Sequence, residues 1–585
     1  MRRLLTCFFL VLFVPLASPG QTSLPVAPRA EASFDSGLKA KVNRVFAAWD
    51  KHDSPGCALG VVYKGKLVYE EGYGQANLEQ NIPITPSTVF YIASASKQFT
   101  AASIALLARQ NKLALDDDIR KYLPELPTYE ASVTIRQLIH HTSGIPDYLE
   151  LLGYAGQRLD DIHTEDEILE LLSRQKSLGF KPGDQFLYSN SGYFLLGMIV
   201  KRVSGKSLAQ FAEESIFNPM GMNHSHFHDS RTRLVKNRAQ GYFSDKEGEF
   251  RNYLTQFDRV GDGGLMTTVE DLYRWDQALE SGTLGGKDFA SSLLTQGQLT
   301  NGSTLNYAFG LMIGQHRGLK SVSHGGSFIG FKSELLRIPE QRLSVICLCN
   351  HSAADATRLA KDVADIVLDH ILGKQAPAST LSAIDPVERV PLTETELKNG
   401  ATVFREPTTG SLWRFSKEDG RITVTVDGQS LRLKPLGNNH YRSLEAPIDL
   451  DLQFQRPSPD RPLVLQLGIE GQSPIAMEAI ELVCPSITQL TEFAGNYYSS
   501  ELQAVYQIFL YEGKLFLRLK NTPDAELVPV LKDLFRAEGK DLAFSRNQDH
   551  QVSGIVLSSG RIRNLRFVRE GIDVGTDRGA VLIPR

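Results

Sequence analysis

The texture of this chain changes once, and that change does more than any motif to fix its architecture. Upstream of residue 373 most apolar residues recur at helical spacing. From Val390 onward they alternate, as in Ile422, Val424, Val426 and again in Leu515, Leu517, Leu519, which is the period of a half-buried strand. Between the two textures, 373–386 carries Gly, Ala, Ser and Pro with little periodicity, so a linker is expected over 373–390. The β part also repeats itself. Trp413-Arg-Phe-Ser-Lys-Glu-Asp-Gly420 matches Tyr506-Gln-Ile-Phe-Leu-Tyr-Glu-Gly513 at an offset of 93, and Pro435 to Arg442 matches Pro529 to Arg536 at 94. Asp451-Leu-Gln-Phe454 then matches Asp541-Leu-Ala-Phe544 at 90. Three matches in one order at one spacing predict two copies of an all-β unit, over 391–484 and 485–585.

Upstream, a helix is expected over 37–49, followed by a hairpin of 56–63 and 66–70 around Lys64-Gly65. A second hairpin, 333–338 and 343–349 around Pro339-Glu340-Gln341, lies far downstream, with mostly helical periodicity between the two and a closing helix near 362–372. The pattern predicts an α+β domain over 30–372: one antiparallel sheet built from both ends, flanked by helices, with a helical region inserted in the middle. Two small all-β domains follow it.

The chain starts Met1-Arg2-Arg3, then a 14-residue apolar run to Ala17 and Ser18-Pro19-Gly20, the layout of a secretory signal peptide over 1–20. Secretion or a periplasmic location follows as the expectation. Cys7 lies inside the apolar run, too early for a lipid-modified first residue. No later stretch reaches the roughly 20 apolar residues of a bilayer span, so no membrane span is expected. The formal charge of −4 contains no Lys/Arg block, which removes nucleic acid as a partner. Cys57, Cys347, Cys349 and Cys484 are too few for a disulfide scaffold, so packing must hold the fold. Cys347 and Cys349, two apart in a strand, share a face and read as small buried hydrophobes, with the pairing state of all four left open.

Three short segments carry chemistry. Ser94-Ala-Ser-Lys97 opens a helix running through Ile104 and Leu107, which sets a serine at a helix N-terminus with a lysine one turn on. A serine hydroxyl is a weak nucleophile that needs a base in hydrogen-bond reach, and a helix N-terminus offers N–H groups to a developing oxyanion. Ser36/Lys39 and Ser173/Lys176 share the tetrad, so the spacing alone does not decide. Among 19 tyrosines only Tyr188 begins Tyr-x-Asn, on a loop before a helix that lines up Leu196, Val200 and Val203. A phenol beside an ammonium can relay a proton, and the amide of Asn190 can bind a substrate carbonyl. His324-Gly-Gly-Ser327 ends the strand-like 320–323 and leads into the second hairpin, its glycines permitting close backbone approach. His316-Arg-Gly318 has the same form but sits in a polar turn. His224, His226 and His228 alternate along an extended segment and read as a strand edge with surface histidines rather than a metal site, and His140-His141 reads as structural.

Together the motifs resemble the serine β-lactamase and penicillin-binding-protein superfamily, whose order is Ser-x-x-Lys, Tyr-x-Asn, then Lys/His-x-Gly. Leu138-Ile-His-His-Thr-Ser-Gly-Ile-Pro146, Asn218-Pro-Met-Gly-Met222 and Gly263-Gly-Leu-Met-Thr-Thr-Val-Glu-Asp-Leu272 are similar to phrases of its class C-like branch. The resemblance implies Ser94 as nucleophile, Lys97 with Tyr188 as proton-transfer pair, and Asn190, His324, Gly326 and Ser327 as substrate-binding residues, with the N–H groups of Ser94 and Ser327 as oxyanion hole. Histidine where lysine is usual looks most like the D-aminopeptidase and esterase branch, whose members carry two eight-stranded lipocalin-like barrels, one of whose loops can reach the active site. The expected activity is hydrolysis of a small amide or ester through an acyl-enzyme. The alternatives are a penicillin-binding or sensor protein acylated with little turnover, or a β-lactamase or D,D-carboxypeptidase. No cofactor and no metal is expected, the partner is a small-molecule or peptide substrate, and the oligomeric state is open. Since the linker lies outside both cores, a chain ending near Gln375 is expected to fold alone.

Overall fold

The computed structural model describes residues 34–254, 258–372, 402–407, 410–418, 421–426, 429–437, 440–443, 450–455, 463–469 and 474–571. The expected signal peptide and linker lie outside them. A six-stranded antiparallel sheet runs in the order Met312–His316, Leu319–Phe328, Phe331–Ile338, Leu343–Cys349, Cys57–Tyr63, Lys66–Tyr73. Two strands therefore come from the start of the domain and four from its end, with the helical region between. The two segments at this junction, Cys57–Tyr63 and Leu343–Cys349, are apolar on both faces because both faces are covered. Leu59, Val61, Val345 and Cys347 pack with Val42, Val363 and Val367 of the helices Ser36–Val45 and Ala356–Leu372. Ala58, Val62, Ile346 and Leu348 join the opposite core, which contains Phe99, Leu272 and Trp275 of the helical region.

Several boundaries differ from expectation for local reasons. The first helix stops at Val45 rather than residue 49, where Phe46 turns in to stack on Tyr73 with ring centroids 4.5 Å apart. The strand expected to end at Ser323 continues through His324-Gly-Gly-Ser327 to Phe328, so that motif is strand and not a loop. Cys349 is more than a small buried hydrophobe: it is the register partner of Cys57 on the adjacent strand, and the two are disulfide-bonded. Cys347 is buried and free, with its sulfur 3.7 Å from that of Cys349, and Cys484 is free and exposed. His226 and His228 are not surface histidines. Both are buried on the short strand His226–Phe227 and the residue after it, and their rings hydrogen-bond each other at 3.2 Å, while His224 is exposed.

The tail forms two closed eight-stranded barrels, Val403–Arg405 through Ile475–Ile480 and Gly495–Ser499 through Ile562–Arg569. The sequence repeat maps strand for strand. Trp413 and Tyr506 lie on the second strand of each barrel, Pro435 and Pro529 on the fourth, Asp451 and Asp541 on the sixth. At both prolines the ladder shifts register, as a residue without an N–H requires. The first barrel is filled by Phe404, Phe415 and Phe454, whose centroids lie 5.0–5.8 Å apart. The second barrel docks on the helical region. Tyr154 Oη donates to Ser559 Oγ (2.6 Å), Tyr506 Oη to the Tyr154 carbonyl (3.1 Å), and Lys176 N to Glu501 Oε2 (3.1 Å). One continuous apolar core runs across this contact. No helix among the described residues is long and apolar enough to cross a membrane.

Candidate active site

Ser94 sits in a tight turn, Ala93–Ser96, that leads into the helix Lys97–Arg109. Ala93 holds φ at 47°, a left-handed conformation that costs of order 1–3 kcal/mol for a residue with a Cβ and that recurs at functional sites. The turn is held by its surroundings: Ser96 Oγ donates to the Ala93 carbonyl (2.6 Å) and Ser333 Oγ to that of Ile92 (2.8 Å). Lys97 is fully buried, and its ammonium donates to Ser94 Oγ (3.1 Å), Asn190 Oδ1 (2.9 Å) and the Asp262 carbonyl (2.6 Å). A lysine this deep is tolerated because all three of its donors are used. The same nitrogen lies 4.9 Å from the centre of the Tyr188 ring, so the two halves of the expected proton-transfer pair are in contact.

Tyr188 precedes the helix Asn190–Ser204 and is oriented by residues that the motif search passed over. His141, read from sequence as structural, packs its ring 4.2 Å from that of Tyr188, and its Nδ1 accepts from Ser189 N (3.1 Å). Burial and the charge of Lys97 keep this imidazole well below the usual histidine range, hence neutral. Asp147, one residue past the quoted Leu138 to Pro146 phrase, accepts from Asn190 N (2.7 Å) and Nδ2 (2.9 Å) and so leaves Oδ1 of that amide turned to Lys97. Behind them Arg259 Nε donates to Tyr148 Oη (2.6 Å), which donates to Asp262 Oδ2 (2.9 Å). Burial raises the Asp262 carboxyl, against the lowering influence of Lys97 and Arg259.

The strand Leu319–Phe328 closes the site. Its hairpin to Phe331–Ile338 has the two-residue turn Ile329-Gly330, both at positive φ, so the flanking pair Phe328/Phe331 is a hydrogen-bonded one. Alternation then turns the backbone groups of Gly326 toward the neighbouring strand and those of Ser327 and Gly325 toward the other edge. On that edge the pairing strand has already ended at Ser323. The Ser327 N–H is thereby turned toward the edge beyond the end of that strand. Gly326 is required, because a Cβ there would lie 2.1 Å from the Ile92 carbonyl oxygen, beside the nucleophile turn. His324 lines the cleft but has both ring nitrogens engaged, Nε2 with Tyr307 Oη (3.0 Å) and Nδ1 with the Gly325 carbonyl (2.7 Å). Burial and Lys97 push it down to about 4, so it brings no cation to the cleft near neutral pH. His316 is elsewhere, on Asp365 (2.7 Å).

Ser94, Tyr188, Asn190, His324, Gly326 and Ser327 line a cleft of about 710 Å³ that also receives Arg561 from the second barrel. The turn between the last two strands is held by Glu150, whose Oε2 accepts from Arg561 N (3.1 Å); burial pushes that carboxyl up to about 7. The Arg561 guanidinium lies 3.5 Å from Asp147 Oδ2 and 5.0 Å from the Tyr188 ring centre. No local sequence signal marks it, since its place depends on how a distant barrel docks. The arrangement holds the Ser94 hydroxyl against an amine that itself lies against the Tyr188 ring, beside an open strand edge, which suits acyl transfer.

Comparison with known proteins agrees with this geometry. Residues 42–368, more than half of the chain, match the family Beta-lactamase. The chain is 33% identical over 316 residues to penicillin-binding protein 4* of Bacillus subtilis, spanning 52% of this chain and 69% of that protein. It is 24% identical over 539 residues to a D-aminopeptidase of Brucella anthropi, spanning 88% and 96%. The octameric penicillin-binding protein homologue from Pyrococcus abyssi superposes with a TM-score of 0.52 at 25% identity, over 76% of this chain and 99% of that one. The chain belongs to the Beta-lactamase family and is a serine hydrolase of that fold.

Proposed function

We propose that this protein is an exported hydrolase that cleaves a small amide or ester bond through an acyl-enzyme on Ser94, with D-aminoacyl compounds as the substrate class. The observation that carries the reading is the single buried ammonium of Lys97, which touches Ser94 Oγ and Asn190 Oδ1 and lies against the Tyr188 ring. In the form of the Lys97/Tyr188 pair that is one proton short, Ser94 Oγ attacks the carbonyl carbon while its proton passes to that pair, and the oxyanion is taken by the N–H groups of Ser94 and Ser327. Collapse expels the leaving group, which takes up the proton. Water then attacks the ester by the reverse proton path and frees Ser94. The nearly full-length similarity to a D-aminopeptidase supports the substrate class, and the apolar run before Ser18 supports export.

The test is a panel of D- and L-aminoacyl anilides, a short-chain aryl ester and a chromogenic cephalosporin, assayed with wild type and Ser94→Ala. Wild type is expected to favour D-aminoacyl anilides, and Ser94→Ala to lose roughly 10³-fold or more in rate while keeping its fold. Preferred turnover of the cephalosporin would assign the chain to the β-lactamase alternative, and a burst without turnover to the penicillin-binding or sensor one.

A further inference from the structure

The cleft lacks the cation that its third motif would supply if lysine stood at position 324, because His324 is neutral and both its nitrogens are in use. Lys97 is buried behind Ser94, and Arg561 already faces Asp147. Arg259, whose Nε donates to Tyr148 Oη (2.6 Å), and Lys332 also line the cleft. Lys332 is the cross-strand partner of Ser327, and its Nζ donates to Ser327 Oγ at 2.7 Å. Directly opposed residues of an antiparallel pair share a face, and here it is the face turned to the helix Ala356–Leu372, as the contact of Glu334 with Thr357 shows (2.7 Å). The same cleft is lined by Ser352-Ala-Ala-Asp-Ala-Thr357, a run of mostly small side chains. The acid in that run, Asp355, accepts from Arg358 N (3.0 Å) and caps the helix. Among the described residues the ammonium of Lys332 forms no ion pair, its hydrogen bond going to a neutral hydroxyl.

We propose that Lys332 is a specificity-determining residue that binds a carboxylate of the substrate within one residue's reach of the scissile carbonyl. The argument is one of connectivity and charge. Ser327 presents its N–H to the oxyanion position and its hydroxyl to Lys332, so a group bound at Lys332 is tied to the reacting carbonyl by a single residue of the protein. An ammonium satisfied only by a hydroxyl gains a charge-assisted hydrogen bond when a carboxylate arrives, worth about tenfold or more in affinity. The carboxylate can be the free terminus of the leaving residue or an acidic group on the acyl part. This inference rests on the hydrolase reading above.

Two matched pairs separate the cases. D-alanyl-D-alanine against D-alanyl-D-alaninamide places the carboxylate on the leaving side, and the 4-nitroanilides of D-aspartate against D-asparagine place it on the acyl side. The quantity read is the kcat/KM ratio of acidic over neutral member, which cancels losses common to both, with thermal melting as the check on folding. Wild type is expected to give a ratio of about tenfold or more in one pair, which names the side. Lys332→Met is expected to bring that ratio to about one, Lys332→Glu to invert it, and Lys332→Arg to retain it, all relative to the same charge-assisted contact. A ratio near one in both pairs of the wild type overturns the proposal. So does an undiminished ratio in Lys332→Met, including the case where both members fall equally, which would make Lys332 a positioning residue for Ser327. If neutral members turn over in a Ser94-dependent way with a flat ratio, only the carboxylate site is lost. If no member turns over, the hydrolase reading fails and the carboxylate site falls with it.

Discussion

At Ser94 several separate constraints meet on one hydroxyl: a left-handed residue before it, a buried lysine after it, and a glycine strand pressed against its turn. The first two segments of this site were legible in the sequence because their chemistry is local, Ser94 and Lys97 within one turn and Tyr188 next to Asn190 but one. What the sequence could not carry is protonation, which is set by burial. A histidine at the third motif suggests a pH-dependent anion contact, yet the folded environment holds His324 down to about 4. The acidic-over-neutral kcat/KM ratio is therefore expected to stay flat from about pH 5 to 8, and a rise in KM for acidic substrates centred near ~6.5, the ordinary histidine value, would contradict it. The sign for stability is fixed too. A histidine with its folded value lowered from 6.5 to about 4 contributes stability that is present above about 6.5 and is lost as pH falls toward 4. Urea midpoints should fall across that window, and less so in His324→Gln.

Among elements, the strand Leu319–Phe328 decides the site. Periodicity ended it at Ser323 because two glycines follow, and glycine weakens a strand signal. The glycines are there for a tertiary reason. A Cβ on Gly326 would meet the Ile92 carbonyl at 2.1 Å, and one on Gly325 would meet Glu334 Oε2 at 2.8 Å. Gly326→Ala should therefore push the strand Leu319–Phe328 away from the Ala93–Ser96 turn. The expected cost is about 1–3 kcal/mol of stability, as for overpacking a closed interior, with kcat falling more steeply than KM rises. Unchanged kcat in a folded Gly326→Ala protein would show that strand and turn do not need this contact. The disulfide has a similar origin: Cys57 and Cys349 are 292 residues apart in sequence and become neighbours only through strand register.

On the scale of the whole molecule, the change of texture after residue 372 and the internal repeat made two all-β units legible and the family resemblance made them barrels, while the register shift shared by Pro435 and Pro529 shows only in the structure. Their docking was not legible, because it rests on scattered residues such as Tyr154, Glu501, Tyr506 and Ser559. The expectation that a chain ending near Gln375 folds by itself now carries a cost in stability, since the apolar core continues from the helical region into the second barrel. Truncation there uncovers the buried Tyr154 and removes Arg561 from the cleft. The truncated protein is expected to melt several degrees lower, on the scale of roughly 2–4 °C per kcal/mol lost for a domain somewhat smaller than this one, and to change its substrate selectivity. Equal melting and an equal selectivity profile would mean that the barrel neither supports nor shapes the site. The most direct measurement lies back at the nucleophile: peptide mapping by mass spectrometry of protein quenched during turnover of a D-aminoacyl ester. The acyl mass is expected on the peptide containing Ser94, and absent in Ser94→Ala. An adduct elsewhere, or undiminished turnover by Ser94→Ala, would contradict acyl transfer through Ser94.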